Sequence, residues 1–265
     1  MEYTIEFGCP RSGTTYLEEV IGTLRNTQRM RLPALPRAIP NLLGNPSILE
    51  KNQIPEVVRK AFQDGLRRGT EKFIDNRYNS RFLALESWWS TPRQFDQLWH
   101  VVRPGRRPLP SLFIYRETHI SLAPSLAFEA FPDGRILYLY RDGRDVANSL
   151  VESYNALTDD ALSELTSIDV CLGRDYDHRR VPWWVEEGDE QAFIEASQYG
   201  RAIWFWAFVV DRCESYFSSL HAHDSDRLLK IRYEDFMREP HTWGERICEH
   251  LNMEPTTAFR RKLDK

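Results

Sequence analysis

The stretch that most constrains this chain is its N-terminus. Tyr3–Phe7 is a short, largely apolar run that passes without a spacer into Gly8-Cys9-Pro10-Arg11-Ser12-Gly13-Thr14-Thr15, and Leu17, Val20, Ile21 and Leu24 then recur at helical spacing. A strand, a loop bounded by glycines and a helix in that order make a phosphate cradle. Backbone N–H groups of the loop and first helical turn converge, and the helix dipole favours an anion there. Gly8 and Gly13 allow the backbone to approach phosphate oxygens closely. The frame is that of GxxxxGK[ST], but Thr14 stands where the lysine would and the cation has moved to Arg11. A nucleoside-triphosphate enzyme uses that lysine on the β- and γ-phosphates and the hydroxyl on Mg²⁺. Without the lysine, and with no apolar run ending in a magnesium-binding Asp, the loop is predicted to hold a phosphate-bearing ligand without a metal.

Three more buried strands are predicted at Ser111–Tyr115, Arg135–Tyr140 and Leu228–Tyr233, each rich in Ile, Leu, Tyr or Phe with polar ends. Helical patterns separate them: Val146, Leu150, Val151 and Tyr154; one long helix from Ile194 to Phe217; and Glu245–Leu251 after Pro240. Strands alternating with helices predict a layered α/β fold with a mainly parallel sheet and ligands at the C-terminal strand ends. No linker divides the chain, so residues 1–265 are read as one domain. Pro33–Pro46, with four prolines, is predicted to be an extended loop over the site. Asn155–Glu190 reads either as a lid on the acceptor side or as a surface insertion whose Trp183 and Trp184 form a packed aromatic pair.

Composition removes several function classes. A net charge of −4 gives no basic field for nucleic acid or a membrane surface. No apolar run reaches the roughly 18 residues of a membrane span. The start MEYTIEFGCPRSG carries no signal-peptide pattern, and Cys9, Cys171, Cys213 and Cys248 show no metal-ligand spacing. A cytoplasmic, reduced, metal-free protein is the expectation.

With these residues in place, a resemblance becomes specific. PRSGTT after a short N-terminal strand resembles the 5′-phosphosulfate loop of sulfotransferases that use 3′-phosphoadenylyl sulfate (PAPS). The resemblance implies that Pro10, Arg11, Ser12, Gly13, Thr14 and Thr15 bind the 5′ end of PAPS. Tyr16 then either stacks near the adenine or serves as a core aromatic of the helix. The third strand runs into Arg141-Asp142-Gly143-Arg144-Asp145, with Ser149 eight residues after Arg141. This matches the 3′-phosphate motif of the family and assigns Arg141 and Ser149 to that phosphate, with Arg144 and Asp145 capping or pairing at the helix start. LLKIRYEDF followed by Pro240 is similar to the late strand of the family, and Phe131-Pro132-Asp133 fits its bacterial branch. The likeness covers Thr4–Tyr16, Thr118–Ser149 and Arg227–Leu251. It implies a three-layer α/β/α fold of the P-loop NTPase-like sulfotransferase kind, PAPS as donor, and 3′,5′-bisphosphoadenosine (PAP) as product. The RKGxxG segment of many cytosolic members is absent, which leaves Arg260 and Arg261 as minor candidates.

Sulfuryl transfer requires a base for the acceptor hydroxyl or amine. Among the seven histidines, His119 is placed best, just past the second predicted strand and 22 residues before Arg141. In many cytosolic members the turn reads Lys-Thr-His, and here it reads Glu117-Thr118-His119. Three possibilities stand: His119 is the base, with Glu117 able to orient it; Glu117 is itself the base; or another group is, and His119 caps the helix. The acceptor could be a small molecule, a glycan, a lipid or a carrier-bound chain. Oligomeric state is not legible. Two rival functions remain at this stage, a P-loop kinase of a small metabolite and a nucleotide-binding protein without catalysis.

Overall fold

The computed structural model describes residues 2–30, 35–44, 51–65, 112–164 and 173–264. All four predicted strands are present, and they form one parallel sheet: β1 (Glu2–Phe7), β3 (Leu112–Arg116), β4 (Arg135–Tyr140) and β7 (Leu228–Arg232), with β2 (Thr27–Met30) as a fifth. The order is β2-β3-β1-β4-β7, so β1 is central; β2 and β3 lie on one side of it, and the chain then crosses to β4 and β7 on the other. That reversal is the position where such sheets open a ligand crevice. The sheet is covered on both faces, which makes the fold three-layered α/β/α.

The strand sequences explain the covering. In β4, Ile136 and Tyr138 face one layer and Leu137 and Leu139 the other, and all four are buried. On the first face lie α5 (Gly143–Tyr154) and α8 (Gln198–Ser218), whose Val146, Phe205, Val209 and Cys213 pack with Ile5 and Phe7. On the second lie α1 (Thr14–Ile21), α11 (Pro240–His250) and α12 (Thr257–Leu263), with Leu17, Ile21, Ile247 and Phe259 against Leu112 and Ile231. Where β1 ends, Gly8 meets β4: a Cβ there would lie 2.0 Å from the carbonyl oxygen of Leu139.

Two expectations change, and a third segment gains detail. Within Pro33–Pro46, the described part is not an extended loop but a helix, α2 (Leu35–Gly44), with Pro40 inside it. Pro36 falls in the first turn, where no N–H is required, so only Pro40 removes a helical hydrogen bond, and burial of Ile39 and Pro40 offsets it. The long helix from Ile194 is two helices, α7 (Glu190–Glu195) and α8, because Ser197 caps α8 by accepting from the Gly200 N–H at 3.1 Å. Within Asn155–Glu190, α6 (Asp159–Glu164) precedes a hairpin of β5 (Gly173–Tyr176) and β6 (Arg179–Pro182), and residues 165–172 lie outside the described ones. Asp177 and His178 both have positive φ, 43° and 63°, as a two-residue hairpin turn of the mirror-image type demands. Trp184 is buried against Phe193, Phe205 and Phe208, and Trp183 meets Phe208 edge-on. Buried Arg201 ties this region to α8 by donating to the carbonyls of Leu157, Phe193 and Ile194 and to Asp159. Among the described residues, no helix is long and apolar enough to cross a membrane.

Candidate functional site

Because every strand of the main sheet is parallel, the loops after β1, β3, β4 and β7 all emerge at one edge. The loop after β1 closes when the Ser12 N–H donates to the Cys9 carbonyl at 3.1 Å. Arg11 and Gly13 both have positive φ, 76° and 95°, and Gly13 is the N-cap of α1. This brings the first-turn N–H groups of Thr14 and Thr15 to the edge, where the helix itself offers them no acceptor. Thr14 is buried and Thr15 exposed. Ser12 is fully buried, and its Oγ has no hydrogen-bond partner. Gly13 is specified twice over, since a Cβ there would lie 2.6 Å from the ring of Tyr233. Gly13→Ala is expected to cost about 1–2 kcal/mol for the left-handed backbone alone. A calorimetric melt of the variant checks this, and an unchanged midpoint would mean that the loop relaxes freely.

The β4 motif is held from both sides. The Trp206 Nε1–H donates to the carbonyl of Arg141 at 3.0 Å, and the N–H of Asp142 donates to Glu234 Oε1 at 2.8 Å. The Tyr-Glu pair after β7 is thereby explained: Glu234 fixes the backbone of the motif, and the Tyr233 ring lies between Gly13 and the Arg141 guanidinium, 4.6 Å from Cζ to ring centre. Asp142 caps α5 by accepting from the Arg144 N–H at 2.9 Å. The Arg144 side chain also donates to Asp142, and this contact holds the carboxyl below its ordinary range. Asp145 pairs with Arg141 Nη2 at 3.2 Å. The roles expected of Arg144 and Asp145, pairing at the helix start, are what the contacts show. Arg141 Nη1 reaches the carbonyl of Arg11 at 3.5 Å, and its Nε is buried without a partner.

Arg11 and Ser149, assigned from sequence to opposite ends of the ligand, meet directly. Arg11 Nε donates to Ser149 Oγ at 2.8 Å, and Nη1 donates to the hydroxyl of Tyr154 at 2.9 Å. Tyr154 entered the sequence reading only as one position of an apolar helical pattern. No local signal marks its contact with a residue 143 positions away. Tyr16 lies elsewhere: its ring packs on Phe236, and its hydroxyl donates to the Lys262 carbonyl in α12 at 3.3 Å. Burial raises the Tyr16 phenol above its ordinary range.

After β3, Thr118–Leu122 forms one short 3-10 turn beside β1, and α2 packs on it. Glu117 caps this turn. It is 3% exposed and accepts from the His119 N–H at 3.0 Å, while its Oε1 lies 2.8 Å from His119 Nδ1. Tyr115 donates to its other oxygen at 3.4 Å. A carboxylate only accepts, so in this contact Nδ1 is the donor. Burial and Glu117 push the Tyr115 phenol well above its ordinary range, so it stays a donor.

The fold is a three-layer α/β/α one in which the loop after β1 and the motif after β4 bring Arg11 and Arg141 to one edge of a parallel sheet. A sequence profile of the Sulfotransferase family matches residues 6–257, and the chain belongs to that family. Among solved structures it is similar to the sulfotransferase domain from the curacin biosynthetic pathway, at 17% identity and TM-score 0.49 over 98% of this chain and 77% of that one. It is also similar to the sulfotransferase STF9 from Mycobacterium avium, at 15% identity and TM-score 0.48 over 99% and 67% of the two chains. A third is the sulfotransferase domain of the Synechococcus PCC 7002 olefin synthase, at 15% identity and TM-score 0.47 over 97% and 76%. No curated protein matches the sequence.

Proposed function

We propose that the protein transfers a sulfuryl group from PAPS to a hydroxyl or amine of an acceptor, in line and without a metal. The observation that carries this reading is that the loop after β1 and the motif after β4, each bearing an arginine, touch each other. Arg11 bonds Ser149, and Arg141 reaches the Arg11 carbonyl, so the β1 loop and the β4 motif act on neighbouring points. Two cationic elements of this kind suit a nucleotide that carries phosphate at both 5′ and 3′ positions. Arg141 Nε and Ser12 Oγ are buried donors without acceptors, and anionic oxygens would relieve that cost after a small opening of the loops. In this reading Arg11, Gly13, Thr14 and Thr15 hold the 5′ end, and Arg141 and Ser149 hold the 3′-phosphate.

PAPS supplies the activated sulfuryl group. The chain does the rest: His119 Nε2 takes the acceptor proton, Glu117 holds the imidazole by its Nδ1–H, and Arg11 with the loop N–H groups offsets charge on the leaving phosphate. Glu117 is the orienting group because its oxygens already accept from His119 and Tyr115 in a buried position. The cytoplasm is the proposed compartment, consistent with free, buried Cys9, Cys213 and Cys248.

Isothermal titration with PAP, beside ATP·Mg²⁺ and AMP, with and without magnesium, tests the donor site. Metal-independent binding of PAP, tighter than that of the other two, is expected. Preference for ATP·Mg²⁺ would replace this reading with a kinase.

A further inference from the structure

We infer that Tyr154 is a positioning residue that fixes the guanidinium of Arg11 for the donor, an inference that rests on the donor reading above. Tyr154 is 62% exposed, so burial does not account for where its ring lies. Its contacts do: the Arg11 Cζ lies 4.5 Å above the ring centre, and Arg11 Nη1 donates to the hydroxyl at 2.9 Å. Face and hydroxyl of one side chain therefore hold the same cation.

The mounting of the two partners is unequal. Tyr154 is the last residue of α5, and Asn155 caps the helix in the left-handed region, donating its N–H to the carbonyl of Val151 at 2.9 Å. Gln198 of α8 then donates to Asn155 Oδ1 at 3.3 Å and to the Ala156 carbonyl at 2.7 Å, locking the cap to the next helix. Arg11, by contrast, sits in a loop at φ 76°, a conformation that an ordinary L-residue keeps only when its surroundings hold it there. Ser149 and Tyr154, both on α5, hold its side chain, while Arg141 reaches its carbonyl. A cation pre-set in this way loses little freedom when the anion arrives, which is how positioning adds to affinity and rate.

The test is a double-mutant cycle with Arg11 and Tyr154, read by PAP titration, with one nuclear resonance measurement on the free protein. Tyr154→Phe keeps the ring and removes the hydroxyl, and is expected to weaken PAP binding about 3-fold; Tyr154→Leu removes both and is expected to weaken it about 10-fold. Neither change should move the melting temperature, given the exposure of the ring. In an Arg11→Met background, Tyr154→Leu should cause no further loss. In the free protein, the Arg11 Nε–H signal, assigned by its disappearance in Arg11→Met, should be shifted upfield by the Tyr154 ring and return downfield in Tyr154→Leu. An Arg11 signal indifferent to Tyr154→Leu overturns the inference, as do equal losses with and without Arg11. If the unmodified protein fails to bind PAP, the donor reading falls, and the Arg11 signal still decides whether Tyr154 holds the guanidinium.

Discussion

His119→Ala will lower kcat by about 100- to 10,000-fold, the range for loss of a positioned base, and leave PAP affinity nearly unchanged. The separation follows from position. His119 lies in the turn after β3, whereas the phosphate elements follow β1 and β4. Glu117 should show a graded pattern. Glu117→Gln keeps a carbonyl oxygen for both the His119 N–H and the imidazole Nδ1–H, which Glu117 now accepts at 3.0 and 2.8 Å, so it should retain part of the rate. Glu117→Ala removes both acceptors and should fall between Glu117→Gln and His119→Ala. Steady-state sulfuryl transfer to any acceptor found in a screen of phenols, alcohols and amines reads all three. A His119→Ala variant that keeps its rate while Glu117→Gln loses it would move the proton to Glu117 and reduce His119 to a helix-turn residue.

The parts of this protein that were legible in its sequence are those in which chemistry and periodicity agree within a few residues. β1 and its loop are one such case: Gly8 is required by the Leu139 carbonyl and Gly13 by a left-handed cap, so both glycines carry structural meaning at short range. β2 is the opposite case. Its four residues, Thr27-Gln28-Arg29-Met30, lie at the sheet edge with only Met30 buried, so no apolar pattern announces a strand. The β5–β6 hairpin was hidden in the same way, by charged strands and an Asp177-His178 turn instead of a glycine-containing one. The prolines of α2 pointed to extended chain, and tertiary burial of Ile39 and Pro40 prevailed over that preference.

The site divides along the same line. Arg11, Arg141, Ser149 and His119 could be named because each sits in a short pattern. Their mutual contacts could not, since Arg11 and Ser149 are 138 residues apart and only the pairing of β1 with β4 brings them together. Glu117 looked from the sequence like a lost lysine. In the fold it is a buried acceptor already committed to His119 and Tyr115, a role that a lysine, with donors only, could not fill.

Arg141→Ala will weaken PAP binding by about 1–3 kcal/mol, or about 5- to 150-fold, the scale of a lost charged hydrogen bond, while AMP affinity stays the same. The second half of this expectation matters most, because PAP and AMP differ by the 3′-phosphate. If Arg141 serves that phosphate, the variant loses the discrimination and nothing else. The structure offers a competing route: Arg141 Nη1 touches the Arg11 carbonyl, and its guanidinium lies over Tyr233, which abuts Gly13. Loss of the side chain could therefore loosen the β1 loop instead. In that event PAP and AMP would weaken together, because both carry the 5′-phosphate, and the melting temperature would drop with them. Titration of both nucleotides into both proteins separates the outcomes. Loss confined to PAP assigns Arg141 to the 3′-phosphate. A parallel loss makes it a brace of the β1 loop, and unchanged affinities remove it from the site.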